Sequence, residues 1–288
     1  MRPLLGALAG AGALGLLAAH HRLLRSPLPQ TTGELRVDGL DAPVTIARDA
    51  LGVPRVSARS REDLAFGQGF AVGQDRLFQL EFFRRAASGR VAEFAGEEGL
   101  LIDRVMRTFG FRQCAEREAA ALDRPTRELL EAYGHGVDAA VAAARALPLE
   151  LQLLRIEPGP WTPVDSLVVG KLLALGFSTN MEAELFRADL IQRVGIDRAG
   201  RLEPLYPQGH PVAARPGTPF SGDALGLAEQ LADVREALGL GAQAAGSNNW
   251  VVSGDRSVTG KPLLAGDPHI TAAMPNLWYA IELEAPDV

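Results

Sequence analysis

The residue with the clearest potential for chemistry is Ser247, which follows Gly246 at the start of a predicted strand. The preceding residues 215–246 are rich in Gly, Pro and Ala, which predicts little packed core, whereas residues 250–254 are apolar, β-prone and end in a turn. If the chain is cut between Gly246 and Ser247, Ser247 gains a free α-amino group with a reference pKa of about 7.7–8.0. Hydroxyl and amine would then supply nucleophile and base in one residue. Without such a cut, a Ser after a Gly is typical of a turn.

Ordered motifs surround this position. Residues 49–56 read DALGVPRV, residues 63–80 contain DLAFGQGF and QDRLFQL, residues 247–250 read SNNW, and residues 268–269 are Pro-His. In this order they resemble the penicillin acylase family of N-terminal nucleophile hydrolases, over about residues 30–288. The resemblance implies an α+β fold, the αββα sandwich, with a mostly helical small chain and only the first strands of the large catalytic chain.

The same resemblance implies four parts. Residues 1–25 would be a signal peptide or signal anchor, and residues 26–214 the small (alpha) chain, with strands followed by helices. Residues 215–246 would be a linker or spacer peptide, and residues 247–288 the start of the large (beta) chain. We therefore expect the sequence to be the N-terminal part of a longer precursor. The family's backbone oxyanion donor and its catalytic Asn would follow Val288.

Individual roles also follow from the resemblance. Ser247 would be the nucleophile, and Gly246-Ser247 the bond that is processed. His269, 22 residues after Ser247, would lie beside the nucleophile and orient or polarise its amino group; the alternative is a structural donor at a strand end. Ile270 would line the acyl pocket, and its alternative is plain core packing.

A structural calcium is the expected metal. Residues 180–187, NMEAELFR, resemble the family segment whose Glu helps to bind calcium, and hard oxygen ligands suit this ion. Glu184 is the expected ligand and Glu182 the second candidate. One carboxylate is not a complete site, so the remaining ligands would follow Val288. The alternative for Glu184 is an ion pair with Arg187 or solvation on a helix face. No organic cofactor is expected.

The implied function is that of an autoprocessed amide hydrolase. It would cleave a linear amide through an acyl-enzyme on Ser247, and penicillins, N-acyl-homoserine lactones and related N-acyl amines are the candidate substrates. Its partner would be its own large chain, in a heterodimer formed by cleavage. The competing hypothesis is a membrane-anchored, non-catalytic homologue or interaction protein that keeps the fold. Gly246, Ser247 and His269 together favour the enzyme.

Composition excludes several other classes. The net charge is -6 with a pI near 5.5, and Lys and Arg do not cluster with aromatic residues, so the electrostatic pattern of a nucleic-acid partner is missing. Cys114 is the single cysteine, which excludes an internal disulfide and a Cys-based zinc site. It lies in a predicted helix, where a passive thiol is expected and a catalytic Cys-His pair is the alternative.

The N-terminus predicts export. Residues 3–19 are uncharged and rich in Leu, Ala and Gly, but as a helix they would reach only about 25 Å, short of the roughly 30 Å hydrocarbon core. A clear small-x-small cleavage site is missing near residues 15–22, which favours an uncleaved anchor over a cleaved signal. We expect a periplasmic or extracellular protein, which residues 3–19 would tether to the membrane if they are not cleaved. A cytosolic enzyme with an apolar tail is the alternative.

Local patterns then give the elements that would position the site. Strands are predicted at 33–37, 43–48, 54–58, near Trp250, at 262–265 and at 277–284. Helices are predicted from residue 61, over 75–87, from an N-cap at Asp123, from a cap at Asp165 to 174, and over 184–194 with Gly195 at the end. Asp75, Arg76, Arg84 and Arg85 match the family and are interpreted as a buried ion-pair scaffold.

Overall fold

The structure, a computed structural model, describes residues 20–178, 180–202, 224–240, 247–270 and 273–286. The helices are α1 (Arg61–Ala87), α2 (Ala92–Ala95), α3 (Leu100–Phe109), α4 (Phe111–Ala121), α5 (Arg124–Ala143), α6 (Leu149–Leu154), α7 (Pro163–Phe177), α8 (Asn180–Val194), α9 (Ile196–Leu202) and α10 (Ala224–Ala237). The strands are β1 (Thr45–Arg48), β2 (Pro54–Ser57), β3 (Ser247–Val252), β4 (Leu263–Pro268) and β5 (Glu282–Glu284). A π-helical turn lies at His21–Arg25, and 3₁₀ turns lie at Gly96–Gly99 and Gly254–Arg256. The chain divides into two compact units, Met1–Lys171 with Ala273–Val288, and Leu172–Ala272.

Helices α1 and α5 pack along each other in the first unit. A Cβ added at Gly69 of α1 would lie 2.0 Å from the carbonyl oxygen of Tyr133, and one added at Gly136 of α5 would lie 2.0 Å from that of Phe66. Because no side chain fits at such distances, glycine at these two positions allows the helices to approach closely. The first unit is therefore built around a tight helix pair.

A small sheet lies against this pair. Strand β2 is central, with β1 antiparallel on one side and β5 parallel on the other. Val56 of β2 is fully buried, together with Leu64 and Ala71 of α1 and Ala285 after β5. Val44 and Ile46 alternate along the segment predicted as the strand 43–48, and both pack on this cluster. The sheet is thus held to α1 by apolar burial.

The second unit contains a β-hairpin and packed helices. Strands β3 and β4 pair antiparallel from Ser247 opposite Pro268 to Val252 opposite Leu263. Helix α10 lies within residues 215–246, for which composition predicts little packing. That expectation is wrong for α10, because Leu231, Val234 and Leu238 are buried. Their spacing of three and four residues places them on one helix face, which offsets the high Gly and Ala content around them.

One predicted helix start and one predicted helix end are confirmed, and two helices begin earlier than predicted. Asp123 caps α5 by accepting a hydrogen bond from the Thr126 amide at 2.8 Å, and Gly195, with φ of 81°, follows α8. Helix α7 starts at Pro163, where Asp165 caps from inside the first turn by accepting from the Thr162 amide at 2.9 Å. Helix α8 starts four residues before residue 184.

The two helices predicted from residue 61 and over 75–87 are the two halves of α1, which meet at a kink where Arg76 has a non-helical φ of −134° and ψ of 18°. Two other predictions need correction. Residues 33–37 form no strand; Val37 instead packs its side chain on a cluster that contains Phe66 and Phe70, so its apolar surface is partly buried without a sheet. The strand predicted over 277–284 is confined to β5, at its last three residues.

Within the described residues, no helix is both long and apolar enough to cross a membrane. The predicted anchor, residues 3–19, lies outside those residues.

Candidate active site

Ser247 is the first residue of β3 and is exposed. The β-branched Val251 and Val252 favour an extended strand. The loop over residues 253–262 that leads to β4 is closely packed: a Cβ on Gly254 would lie 2.5 Å from the carbonyl oxygen of Gly260, whose φ is 69°. These residues make a compact hairpin. The bond before Ser247 cannot be described, because Gly246 lies outside the described residues.

The hairpin register brings Ser247 and His269 to the same end. Ser247 lies directly opposite Pro268, which immediately precedes His269. Opposed residues of an antiparallel pair have Cα atoms about 4.5–5.5 Å apart, so His269 follows a residue that is in contact with Ser247. The structure therefore brings together the two residues for which the sequence predicts catalytic roles.

Asp267 is a neighbour of His269 that the sequence analysis missed. Its Oδ2 lies 2.9 Å from Nε2 of His269, and both side chains are exposed. The signal was the spacing, because residues two apart on a strand point to the same face. Because a carboxylate only accepts hydrogen bonds, this contact favours the tautomer in which Nε2 of His269 carries the proton.

Ile270, the predicted acyl-pocket residue, follows directly and is half-buried. The hairpin also presents large apolar side chains to solvent on both strands. Trp250 is 59% exposed, and Val251, Leu263 and Leu264 are exposed as well. By the strand register these side chains lie on both faces of the hairpin, and exposed apolar side chains of this kind are typical of faces that other elements cover.

Glu184, the predicted calcium ligand, lies on α8 and is exposed, and its Oε1 accepts a hydrogen bond from the Asn180 side-chain amide at 2.7 Å. Calcium takes about six to eight oxygen ligands. Across the described part of the chain, no group of three or more His, Cys, Asp or Glu side chains could hold a metal ion. Glu184 and its described neighbours therefore do not form a calcium site by themselves.

Glu182, the second candidate, has a different environment. Its Oε1 forms an ion pair with the guanidinium of Arg235 on α10, which also donates to the carbonyl oxygens of Leu175, at 2.7 Å, and Ser178. Arg235 is only 5% exposed. Glu182 is thus committed to a buried arginine, which leaves Glu184 as the more accessible carboxylate of the two.

Comparison with known proteins now decides the family. The family model described as penicillin amidase matches residues 43–288. The chain belongs to the penicillin amidase family. It is 34% identical to an acyl-homoserine lactone acylase QuiP of Pseudomonas aeruginosa, over 90% of this chain and 31% of that protein. It is 36% identical to the penicillin acylase 2 proenzyme of Pseudomonas sp. strain SE83, over 88% of this chain and 34% of that protein.

A solved structure of a thermostable penicillin G acylase from Alcaligenes faecalis is 28% identical, with a TM-score of 0.49; the match covers 61% of this chain and 98% of that one. The chain spans about a third of the length of the curated relatives it matches.

In this penicillin amidase family member, the predicted ion-pair scaffold is two separate clusters. Arg84 and Arg85 are buried and share Glu81, which is 1% exposed and was not predicted from the sequence. Asp75 instead binds Arg48 from β1, at 2.6 Å between Nη1 and Oδ2. The prediction of buried ion pairs is therefore right for Arg84 and Arg85, whereas Asp75 belongs to a partly exposed pair.

The Arg84 and Arg85 cluster holds a loop in place. Arg84 donates to the carbonyl oxygens of Gly159 and Pro160 at 3.2 and 3.0 Å, and its Cζ lies 5.4 Å from the ring centroid of Trp161. Arg85 donates to the carbonyl of Glu157 at 3.1 Å. These contacts tie α1 to the segment that leads into α7, which is a structural role.

Proposed function

We propose that the chain is part of an autoprocessed amide hydrolase in which Ser247 is the nucleophile. The observation that carries the proposal is the position of Ser247 as the first residue of β3, directly opposite the residue that precedes His269. The names of the relatives, an acyl-homoserine lactone acylase and a penicillin acylase, support the same class of reaction.

Processing would use the Ser247 hydroxyl. Its Oγ attacks the carbonyl carbon of Gly246, the amide nitrogen leaves as the α-amine of Ser247, and the acyl group now rests on Oγ as an ester. Water hydrolyses this ester, which releases the carboxylate of Gly246 and frees the hydroxyl. The cut leaves Ser247 with the amine that the later reaction needs.

Turnover repeats this chemistry on an external amide. The free α-amine takes the Oγ proton as Oγ attacks the substrate carbonyl, and the protonated leaving amine departs from the acyl-enzyme. Water then attacks the ester and releases the acid. His269, oriented by Asp267 at 2.9 Å, is suited to position the α-amine from the adjacent strand.

The substrate class would be an N-acyl amine with an apolar acyl group, such as an N-acyl-homoserine lactone or a penicillin side-chain amide, and Ile270 would line the acyl pocket. The exposed apolar faces of the hairpin support further strands of the large chain packing there, as in an αββα sandwich. The cut chains would form a heterodimer. Glu184 would contribute to a calcium site completed by residues outside this chain, and the N-terminal segment would direct the protein to the periplasm or the cell exterior.

The deciding experiment compares Ser247→Ala with Ser253→Ala in the complete protein. Ser253 is a matched control, because it is an exposed serine that directly follows the other end of β3. Intact mass and N-terminal sequencing should find a new terminus at Ser247 in the control and in wild type, but one uncut chain in Ser247→Ala. Processing of the Ser247→Ala protein at the same bond would refute the mechanism. An uncut wild type without amidase activity would favour the non-catalytic homologue.

A further inference from the structure

Residues 276–285 follow Ser247 in sequence but pack among residues that precede it. Strand β5 pairs in parallel with β2, in the register Arg55 opposite Glu282 to Ser57 opposite Glu284. The amide of Ala58 donates to the carbonyl oxygen of Glu284 at 3.0 Å and extends the ladder by one bond. The side of this segment that faces α1 is apolar and joins the cluster around Val56, through Ile281, Leu283 and Ala285.

A polar cluster adjoins this strand pair, and we call it the Tyr279 clamp: Arg48, Asp75, Arg76 and Tyr279. Arg48 binds Asp75 with both terminal nitrogens, at 2.6 and 3.2 Å. The Tyr279 hydroxyl donates to Oδ2 of Asp75 at 2.5 Å. One carboxylate thus accepts from a residue before the predicted cut and from a residue after it. Burial, and next the bond to Asp75, raise the pKa of Tyr279, so its hydroxyl stays a donor at neutral pH.

Arg76 completes the clamp through a break in α1. Its φ of −134° and ψ of 18° are the non-helical values inside the 27-residue helix. The Arg76 guanidinium carbon lies 5.4 Å from the ring centroid of Tyr279, and Nη1 donates to the carbonyl oxygen of Asn276 at 3.2 Å. Gln79 donates to the same carbonyl at 3.2 Å. The helix departs from regular geometry at the residue that contacts this segment.

We propose that the Tyr279 clamp and the β2–β5 pair form the docking surface that keeps the large chain on the small chain after the cut before Ser247. The inference rests on the proposed cleavage, because only then do residues 276–285 lose their covalent link to α1 and β2. The hydrogen bond from Tyr279 to Asp75 is its central contact, since it joins the partner segment to a carboxylate that also binds Arg48 and whose side chain is 21% exposed. Arg55–Glu282, at the same surface, is a weak contact, because both side chains are 57% exposed.

The test uses the complete protein with Ser247→Ala and with a site for a sequence-specific protease placed within residues 215–246, so that cutting does not depend on Ser247. Chain dissociation is measured by native mass spectrometry and size exclusion at a fixed urea concentration. Tyr279→Phe and Asp75→Asn should each raise the dissociation constant of the cut chains by about 10–100-fold, the range for a hydrogen bond to a charged group. The double variant should add little to either single change. Glu282→Gln, the matched control, should change it by less than about threefold.

Equal dissociation constants for wild type and Tyr279→Phe would overturn the inference, as would a Glu282→Gln effect as large as that of Tyr279→Phe. If Asp75→Asn does not fold, hydrogen exchange of the uncut Tyr279→Phe protein is compared with that of the uncut wild type. Exchange that becomes faster for the amides of 281–285, more than for those of β1, supports the clamp, and unchanged exchange refutes it. The two proposals can also fail separately. If the protein that retains Ser247 is never cut, but the protease-cut chains stay associated, the proposed processing is refuted and the docking surface is supported.

Discussion

Glu81 is predicted to be a main source of stability, because it is the shared anion of two buried arginines. Its side chain is 2% exposed, and those of Arg84 and Arg85 are 8% and 9% exposed. Each carboxylate oxygen of Glu81 bonds one guanidinium. In Glu81→Gln, the carboxylates left near these arginines in the described residues would be Asp165, at 3.8 Å from Arg84, and the half-exposed Glu93, at 3.7 Å from Arg85. Burial already lowers the pKa of both arginines, so their charged forms would become less favourable still.

The expected loss follows from removing one partner of a buried ion pair, which costs about 3–5 kcal/mol of unfolding free energy. At about 2–4 °C per kcal/mol for a chain of this size class, the melting temperature of the complete protein should fall by about 6–20 °C. Thermal unfolding followed by circular dichroism measures it. Glu128→Gln is the control, because its pair with Arg124 is exposed and should matter little. Turnover per folded molecule should stay near wild type. A shift below about 2 °C, or lost turnover with an unchanged melting temperature, would refute the structural role of Glu81.

Three further predictions concern the site and its supports. His269→Ala should lower turnover by about 10²-fold without changing the melting temperature, and His269→Gln should lower it less, because an amide still donates a hydrogen bond. Kinetics normalised to the active-site titre measure this. Unchanged turnover in the Ala variant would show that His269 is not part of the site. When calcium is added back to chelator-treated protein, the rise in melting temperature should be smaller for Glu184→Gln than for wild type. Glu182→Gln should instead destabilise the protein with or without calcium, because it removes the anion that pairs with the buried Arg235. A full calcium response in Glu184→Gln would contradict the assignment of Glu184 as a ligand. The backbone and side-chain hydrogen bonds of Thr126 lower the pKa of Asp123. The stability that this cap contributes is therefore present above the ordinary pKa of 3.8 and is lost as the pH falls through the lower pKa of the folded state. Between about pH 6 and about pH 2, the melting temperature should fall more steeply for wild type than for Asp123→Asn.

Local signals in the sequence were enough wherever neighbouring residues decide the structure. Asp123 with Pro125 predicts a helix start, and the structure has the cap at that residue. Ser247 was expected at the first position of a strand, where it lies. The start of α7 at Pro163 also has a local signal, since Thr162 and Asp165 have the spacing of a capping box. The prediction took Asp165 as the cap that precedes the helix, whereas Asp165 lies in the first turn and Thr162 is the residue before it.

The misses involve partners that are distant in sequence. Residues 33–37 alternate as a strand does, but Val37 is partly buried against the helix pair, and alternation alone cannot distinguish these outcomes. The break of α1 at Arg76 agrees with the two helices predicted there, but the role of its glycines was not predicted: Gly69 meets the backbone of α5 at Tyr133, 64 positions later. Glycine lowers helix propensity, but here close packing outweighs that cost.

In the candidate site and the docking surface as well, contacts between sequence neighbours were predictable and contacts between distant segments were not. Ser247, Asp267 and His269 lie at the same end of one hairpin, so a short motif and the pairing of two neighbouring strands suffice to place them there. The contact from Tyr279 to Asp75 joins residues 204 positions apart, and no sequence pattern in either segment predicts it. A cut before Ser247 would leave the first group covalently intact and would make the second group the connection between two chains. Substitutions in the hairpin should therefore act on turnover and processing, whereas substitutions at Asp75 or Tyr279 should act first on whether the two products stay together.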